Sequence, residues 1–366
     1  MGLFSRNNNK IEKPEVVLEL RSPSCPITAI VEQDNRTSYF YLFGDNEDFG
    51  VKSCWIRNLT VAPETIEVKL MEKGVPPMLP KEFCKFPQGQ ELLNESNLEV
   101  IWLQEGDGAA LLENGEILCV IPSWGGDGEF YGYARDCMGA GPFAWELSED
   151  NEMQKRVKDA ASFIKEWEEE GNPFQLIQPK ILDYYDEIFG KSEKYYAIDN
   201  SEWPPKGLYV YEGPEKIVFA TVAVSLRSQP KIEMYFENPE KVNRIELGII
   251  LKSGLTNEQM NSVASFVSGT TAIPWDYITF LAEGHTIEFQ TAVSEKFKYA
   301  VLTNKLKVLP QMNVPAFGNS KANFLWIVPV SDTEWEVMKE SGSQFILDKL
   351  DDIGEEIFNL NRKEVV

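Results

Sequence analysis

The sequence predicts an α+β protein of two modules, each a mostly antiparallel or mixed sheet packed against helices. Three observations carry that prediction. Short β-branched and aromatic runs separated by turn residues fill the chain before Glu149. A 3.6-residue apolar period begins at Glu149, and strand and capped-helix signals alternate after it. All five cysteines lie before residue 140, whereas the single histidine, His285, lies in the second half, an asymmetry that suggests modules of different origin. At roughly 100–200 residues per domain, 366 residues suit two such modules. We divide them as a strand-rich module over 1–148, a linking helix and connector over 149–179, a second domain over 180–352 and a C-terminal tail over 353–366.

In the first module, strands are expected at Val16–Leu20, Ile27–Val31, Ser38–Phe43, Ser53–Ile56, Val100–Leu103, Ala109–Leu112 and Ile117–Ile121. The turns between them have their own chemistry, as in Gln33-Asp34-Asn35 and Gly125-Gly126-Asp127-Gly128. Asn114-Gly115 predicts a hairpin, because both residues accept the positive φ of a type I′ turn. Thr65–Lys73 is read as a helix among these strands. The linking helix runs Glu149–Glu170, with Met153, Val157, Ala160, Ala161, Ile164 and Trp167 on one stripe. Ser148 is its expected N-cap, and Asn172-Pro173 closes the segment after the Glu168-Glu169-Glu170 run.

The second domain opens with an amphipathic helix, Lys180–Gly190, capped by its glycine. Strands are expected at Gly207–Tyr211, Ile217–Ser225, Lys231–Phe236 and Arg244–Leu251, then at Thr286–Phe289, Tyr299–Thr303 and Asn323–Val330. Thr256 with Gln259, and Ser331 with Glu334, have capping-box spacing and each start a helix. The last helix should break near Gly342.

Composition removes several functions. A formal net charge of −23 opposes binding to DNA or RNA phosphates and docking on anionic membranes, and favours a basic partner or simple solubility. Met1–Lys13 has no apolar stretch after its basic residues, so it is not read as an export signal, and no apolar run is long enough to span a bilayer; a cytoplasmic protein is expected. One histidine and five widely spaced cysteines without a CxxC pair leave no zinc set, and no metal or other cofactor is expected. The glycine clusters match neither a P-loop nor a dinucleotide fingerprint.

One catalytic arrangement remains, a thiol enzyme built on Cys137 and His285 and oriented by Asp136, with Arg135 lowering the thiol pKa. It competes with a buried structural cysteine and a hydrogen-bonded histidine. The segment Ile121–Leu147 is dense in aromatics and glycines around Arg135-Asp136, which fits a recognition surface or a core with a structural ion pair. The partner-binding candidates are Trp124, Arg135, Asp136 and His285.

Residues 180–352 also resemble the Suppressor of fused domain family. The resemblance is carried by LDYYDEIFG (Leu182–Gly190), the strands around Phe219–Leu226, LAEGHTIEF (Leu281–Phe289) and ANFLWIVPVSDTEWEVMKESGSQFILDKL (Ala322–Leu350). The stretches SCPITAIVEQ, SCWIRNL, WLQEGDGAALLE and GYARDC are similar to an N-terminal module that accompanies this domain in many bacterial proteins. The resemblance implies binding rather than catalysis. Animal members sequester zinc-finger transcription factors of the Hedgehog pathway by gripping an extended peptide. Many bacterial members look like immunity proteins or antitoxins encoded beside secreted toxins. Around Ala220–Pro230 the sequence departs from the animal peptide-binding pattern, so none of those residues is carried over. The reading is thus a non-enzymatic inhibitor that sequesters a toxin partner, possessing a basic domain, with a general adaptor of a cellular protein and the thiol enzyme as alternatives.

Overall fold

The computed structural model describes residues 12–167, 171–192, 194–199, 203–316 and 321–366. Most of Met1–Lys13 and all of the Glu168-Glu169-Glu170 run therefore lie outside the described residues. Contacts divide the chain into two units, residues 1–164 and 165–366. The α+β class holds: three sheets and seven α-helices are present among the described residues.

The first unit starts as an antiparallel meander of β1 (Glu15–Arg21), β2 (Ile27–Gln33), β3 (Thr37–Gly44) and β4 (Val51–Asn58). Strand β2 buries Ile27, Ala29 and Val31 and leaves the residues between them half-buried, the period-2 pattern of a sheet with one covered face. The β2–β3 turn is held by the Asp34 carboxylate, which accepts from the N–H groups of Arg36 (2.6 Å) and Thr37 (2.8 Å). The helix expected at Thr65–Lys73 shrinks to α1, the single turn Val68–Met71, which buries no residue and has no side-chain cap.

A second sheet follows, ordered β5-β6-β7-β8-β9: β5 (Leu98–Trp102), β6 (Ala109–Glu113), β7 (Glu116–Ile121), β8 (Tyr133–Ala134) and β9 (Trp145–Glu146). Asn114 and Gly115 join β6 to β7 with φ of 51° and 82°, as a type I′ turn requires. Helix α2 (Glu152–Glu166) lays Met153, Val157 and Ala160 on Ile101, Ala110, Leu112 and Val120. Its start differs from expectation: Asn151, not Ser148, accepts from the Met153 N–H at 2.9 Å, while the Ser148 hydroxyl donates to Asp150.

In the second unit Asn172-Pro173 opens a helix instead of closing one. Helix α3 (Pro173–Phe189) has Asn172 as N-cap, accepting from Gln175 N–H at 3.1 Å, and Pro173 in the first turn, where no N–H is needed. Its buried residues Ile177, Ile181, Tyr185 and Phe189 recur every fourth position, and Gly190 caps it at φ 103°. The seven-stranded sheet runs β10-β11-β12-β13-β16-β15-β14. Its members are β10 (Lys194–Ala197), β11 (Gly207–Glu212), β12 (Lys216–Val222), β13 (Ile245–Lys252), β14 (Thr286–Glu288), β15 (Tyr299–Thr303) and β16 (Asn323–Val330). All neighbours are antiparallel except β13 and β16.

Both expected capping boxes are formed, Thr256/Gln259 on α4 (Asn257–Thr270) and Ser331/Glu334 on α6 (Asp332–Ser341). The break at Gly342, φ 79°, separates α6 from α7 (Gln344–Asp352). Between α4 and β14 lies the short α5 (Ile273–Asp276). Helix α3 and the α6–α7 pair share one core with Tyr209, Val218, Trp326 and Val328 of the sheet. Helix α4 meets β12 and β13 and buries Met260, Val263 and Val267. The strand expected at Lys231–Phe236 is absent: Lys231 turns left-handed at φ 56° into a 3-10 turn, Ile232–Met234, inside the long β12–β13 connection. Residues 353–366 contribute buried Ile357, Phe358 and Arg362.

Candidate functional site

The sheet of the second unit supports two connections that meet at its surface. The first, between β12 and β13, leaves the strand through Ala223 at φ 71° and is held from beneath by a buried carboxyl, Glu246 of β13. Glu246 accepts from the Thr221 hydroxyl (2.6 Å), the Ser225 hydroxyl (2.7 Å) and the Ser225 N–H (3.0 Å). Burial pushes its pKa up to about 7 even though those three donors oppose the change. Arg244 donates to the Ser225 and Leu226 carbonyls at 3.1 and 2.5 Å. A left-handed residue without glycine's freedom costs energy, and this polar floor over-determines it.

The second connection runs from α5 to β14. Gln229 clips the two together: its amide donates to Leu281 O (3.1 Å) and its carbonyl accepts from Leu281 N–H (2.8 Å). The Trp275 indole adds a bond to Ser228 O at 3.2 Å, and the Arg227 guanidinium lies 4.4 Å from the Trp275 ring. Above this scaffold the Phe280 ring sits 5.1 Å from Tyr235, 5.6 Å from Phe236 and 5.2 Å from His285. Tyr235 is 65% exposed and Tyr277 69%, with exposed Met234 beside Tyr235 in sequence. Exposed Glu237, Glu240 and Asp276 flank these residues in the two connections. Burial lowers the His285 pKa, opposed by a hydrogen bond with the Phe280 backbone, so the ring is neutral at pH 7. The arrangement offers ring faces and carboxylates on a fixed backbone, which suits docking of protein side chains. Strand β14, starting one residue after His285, is also an edge of the sheet.

The other sequence candidates lie in the first unit. Arg135 donates to Asp136 at 2.8 and 3.0 Å and to Glu116 at 3.1 Å. Asp136 is buried and also accepts from Gln90 at 3.2 Å. This is a satisfied ion-pair network, and the Arg135 pKa is raised by its bond to Asp136. Trp124 is half-buried on the core under α2, with Arg156 5.6 Å from its ring. Cys137 is buried; its thiol donates to Ala144 O at 3.1 Å, and burial pushes its pKa up to about 11. His285 belongs to the other unit. Sequence reasoning placed His285 beside Phe280 but passed over Tyr235, Tyr277 and Glu246.

Among the described residues no three His, Cys, Asp or Glu side chains converge as metal ligands, and no helix is long and apolar enough to cross a membrane. All five cysteines are free thiols.

Residues 204–363 match the family model described as Suppressor of fused protein (SUFU). No curated protein matches the chain in sequence. Several solved structures are similar at low identity, three of which follow. The SUFU homolog of Neisseria gonorrhoeae FA 1090 is 15% identical over 52% of this chain and 96% of its own, with TM-score 0.38. The Sufu-Fu complex is 14% identical over 51% and 91%, with TM-score 0.36. Drosophila Suppressor of Fused is 11% identical over 51% and 50%, with TM-score 0.34. The similarity to the Suppressor of fused protein family is thus carried by one domain of the chain, residues 204–363.

Proposed function

We infer that this chain is a non-enzymatic protein-binding protein of the cytoplasm that acts by occluding a basic protein partner, as an immunity protein occludes a toxin. The observation that carries the reading is two solvent-exposed tyrosines on fixed backbone: Tyr235, against a half-buried Phe280 that also meets His285, and Tyr277, two residues after the anchored Trp275, on connections tied together by Gln229. Exposed tyrosines on a rigid base bind with little loss of side-chain entropy, and such residues dominate interface energetics. Glu237, Glu240, Asp276 and the net charge of −23 favour a basic partner by speeding encounter and rejecting acidic surfaces. The match of residues 204–363 to the Suppressor of fused protein model agrees with this reading, since the resemblance implies binding rather than catalysis. The Cys137–His285 enzyme is disfavoured, because a buried thiol with a pKa near 11 holds its proton at neutral pH.

The test is affinity capture from the native host with the full chain as bait, alongside a bait carrying Tyr235→Ser and Tyr277→Ser. A stoichiometric basic partner on the unaltered bait, lost on the variant, is expected. Equal capture on both baits, or none on either, contradicts the reading.

A further inference from the structure

The first unit carries a groove of its own, far in sequence from the tyrosine surface. It has a volume of about 770 Å³ and is lined by Phe83, Tyr131, Pro142 and Trp145, with Glu82 and Glu129 on its rim. Trp145 is 38% exposed although it belongs to a sheet, and its ring is fixed edge-on to Phe130 at 5.0 Å and 72°. The backbone beneath it is equally fixed: Trp145 N–H donates to Gly132 O at 2.8 Å, and Glu146 N–H to Gly139 O at 2.7 Å. Neither the Trp145 indole N–H nor the Tyr131 hydroxyl makes a hydrogen bond to another described residue. Neither Glu82 nor Glu129 joins an ion pair with one, whereas nearby Glu64 and Glu146 are matched by Lys81 and Lys85.

We propose that this groove binds an extended, proline-bearing peptide segment that carries lysine or arginine. Each part of the lining answers one property of such a segment. A polyproline II strand has no internal hydrogen bonds, so its carbonyls need donors, which an indole N–H and a phenol supply. Proline rings pack flat on aromatic faces, and a pre-extended segment loses little entropy on docking. Two carboxylates without cationic partners on the rim select a basic residue at one end and disfavour an acidic segment. The proposal is independent of the second unit's surface, since all six residues lie within residues 1–164.

The test uses the full chain and fluorescence polarisation with a labelled peptide repeating Lys-Pro-Pro, compared with Glu-Pro-Pro and Lys-Gly-Gly repeats. Binding of the Lys-Pro-Pro peptide alone is expected, weakened about tenfold or more by Trp145→Ala and by Glu129→Lys. Glu129 is exposed and outside any ion pair, so Glu129→Lys leaves the fold intact even where Trp145→Ala perturbs it. Binding unchanged by Glu129→Lys, equal binding of the Lys-Gly-Gly peptide, or no binding at all would overturn the proposal. Sedimentation showing a dimer that Glu129→Lys disperses, without peptide binding, would assign the groove to a second copy instead and overturn it as well.

Discussion

Replacing Arg362 by alanine should unfold the second unit at markedly lower denaturant. Arg362 donates to both oxygens of Glu334, at 2.6 and 2.8 Å, and to Pro329 O at 3.1 Å, with its guanidinium 4.5 Å from the Phe297 ring. The side chains of the pair are 2% and 0% exposed. Glu334 also accepts from the N–H groups of Ser331 and Val365, both at 2.9 Å, so one carboxylate joins the start of α6, the end of β16 and the C-terminal segment. Burial alone would push the Glu334 carboxyl up; the bonds and charge of Arg362 outweigh it and hold the pKa below the usual value.

Breaking one half of a buried pair strands the other charge, at a cost of about 3–5 kcal/mol. With a urea dependence of about 2.5 kcal/mol per molar, the midpoint should fall by roughly 1–2 M. The loss should depend on pH with a definite sign. In the unaltered chain Glu334 stabilises the fold above the usual carboxylate pKa, and this is lost as pH falls through its lowered folded value. In Arg362→Ala the folded carboxyl is pushed above that range, so the penalty is full at pH 7.5 and shrinks towards pH 4.5. The assay is urea unfolding followed by tryptophan fluorescence at both pH values. A midpoint within about 0.3 M of the unaltered chain, or a loss that does not shrink with acid, would refute the reasoning.

Glu246 should make the second unit less stable as pH rises. Its folded pKa of about 7 lies above its unfolded value, so its contribution is complete below the unfolded pKa and disappears as pH rises through 7, to the order of 3 kcal/mol. Glu246→Gln should flatten that slope between pH 5 and 8 in thermal melts, and an unchanged slope would assign it to other groups. Cys137, with its pKa near 11, holds about 100-fold less thiolate than an ordinary cysteine at neutral pH. Iodoacetamide should therefore label it in urea but scarcely in the folded chain, and rapid native labelling would restore the thiol-enzyme reading.

Where local chemistry decides the backbone, the sequence was legible. The Thr256/Gln259 and Ser331/Glu334 boxes and the Asn114-Gly115 turn need only residues within three positions, and all are formed. Asn172-Pro173 was ambiguous for the same reason: both residues suit a helix start as well as a stop, and α3 uses them as a start. Lys231–Phe236 alternates like a strand, but a strand needs a partner, and left-handed Lys231 diverts the chain from the sheet. Strands β8 and β9 have two residues each and exist only through pairing. The site followed the same division. His285 stood out as a lone histidine in a glycine turn, whereas the exposure of Tyr235 and Tyr277 depends on how distant connections meet. The available signals were Tyr235 within EMYFENPE, off the Ile232, Met234 and Phe236 alternation, and one carboxylate within the apolar run RIELGIIL around Glu246.

The central claim, that the second unit presents a protein-binding surface, is tested most directly by amide hydrogen exchange of the full chain with and without its captured partner. The account predicts slowed exchange in residues 231–243 and 271–289. Slowing elsewhere with those residues unchanged would contradict it.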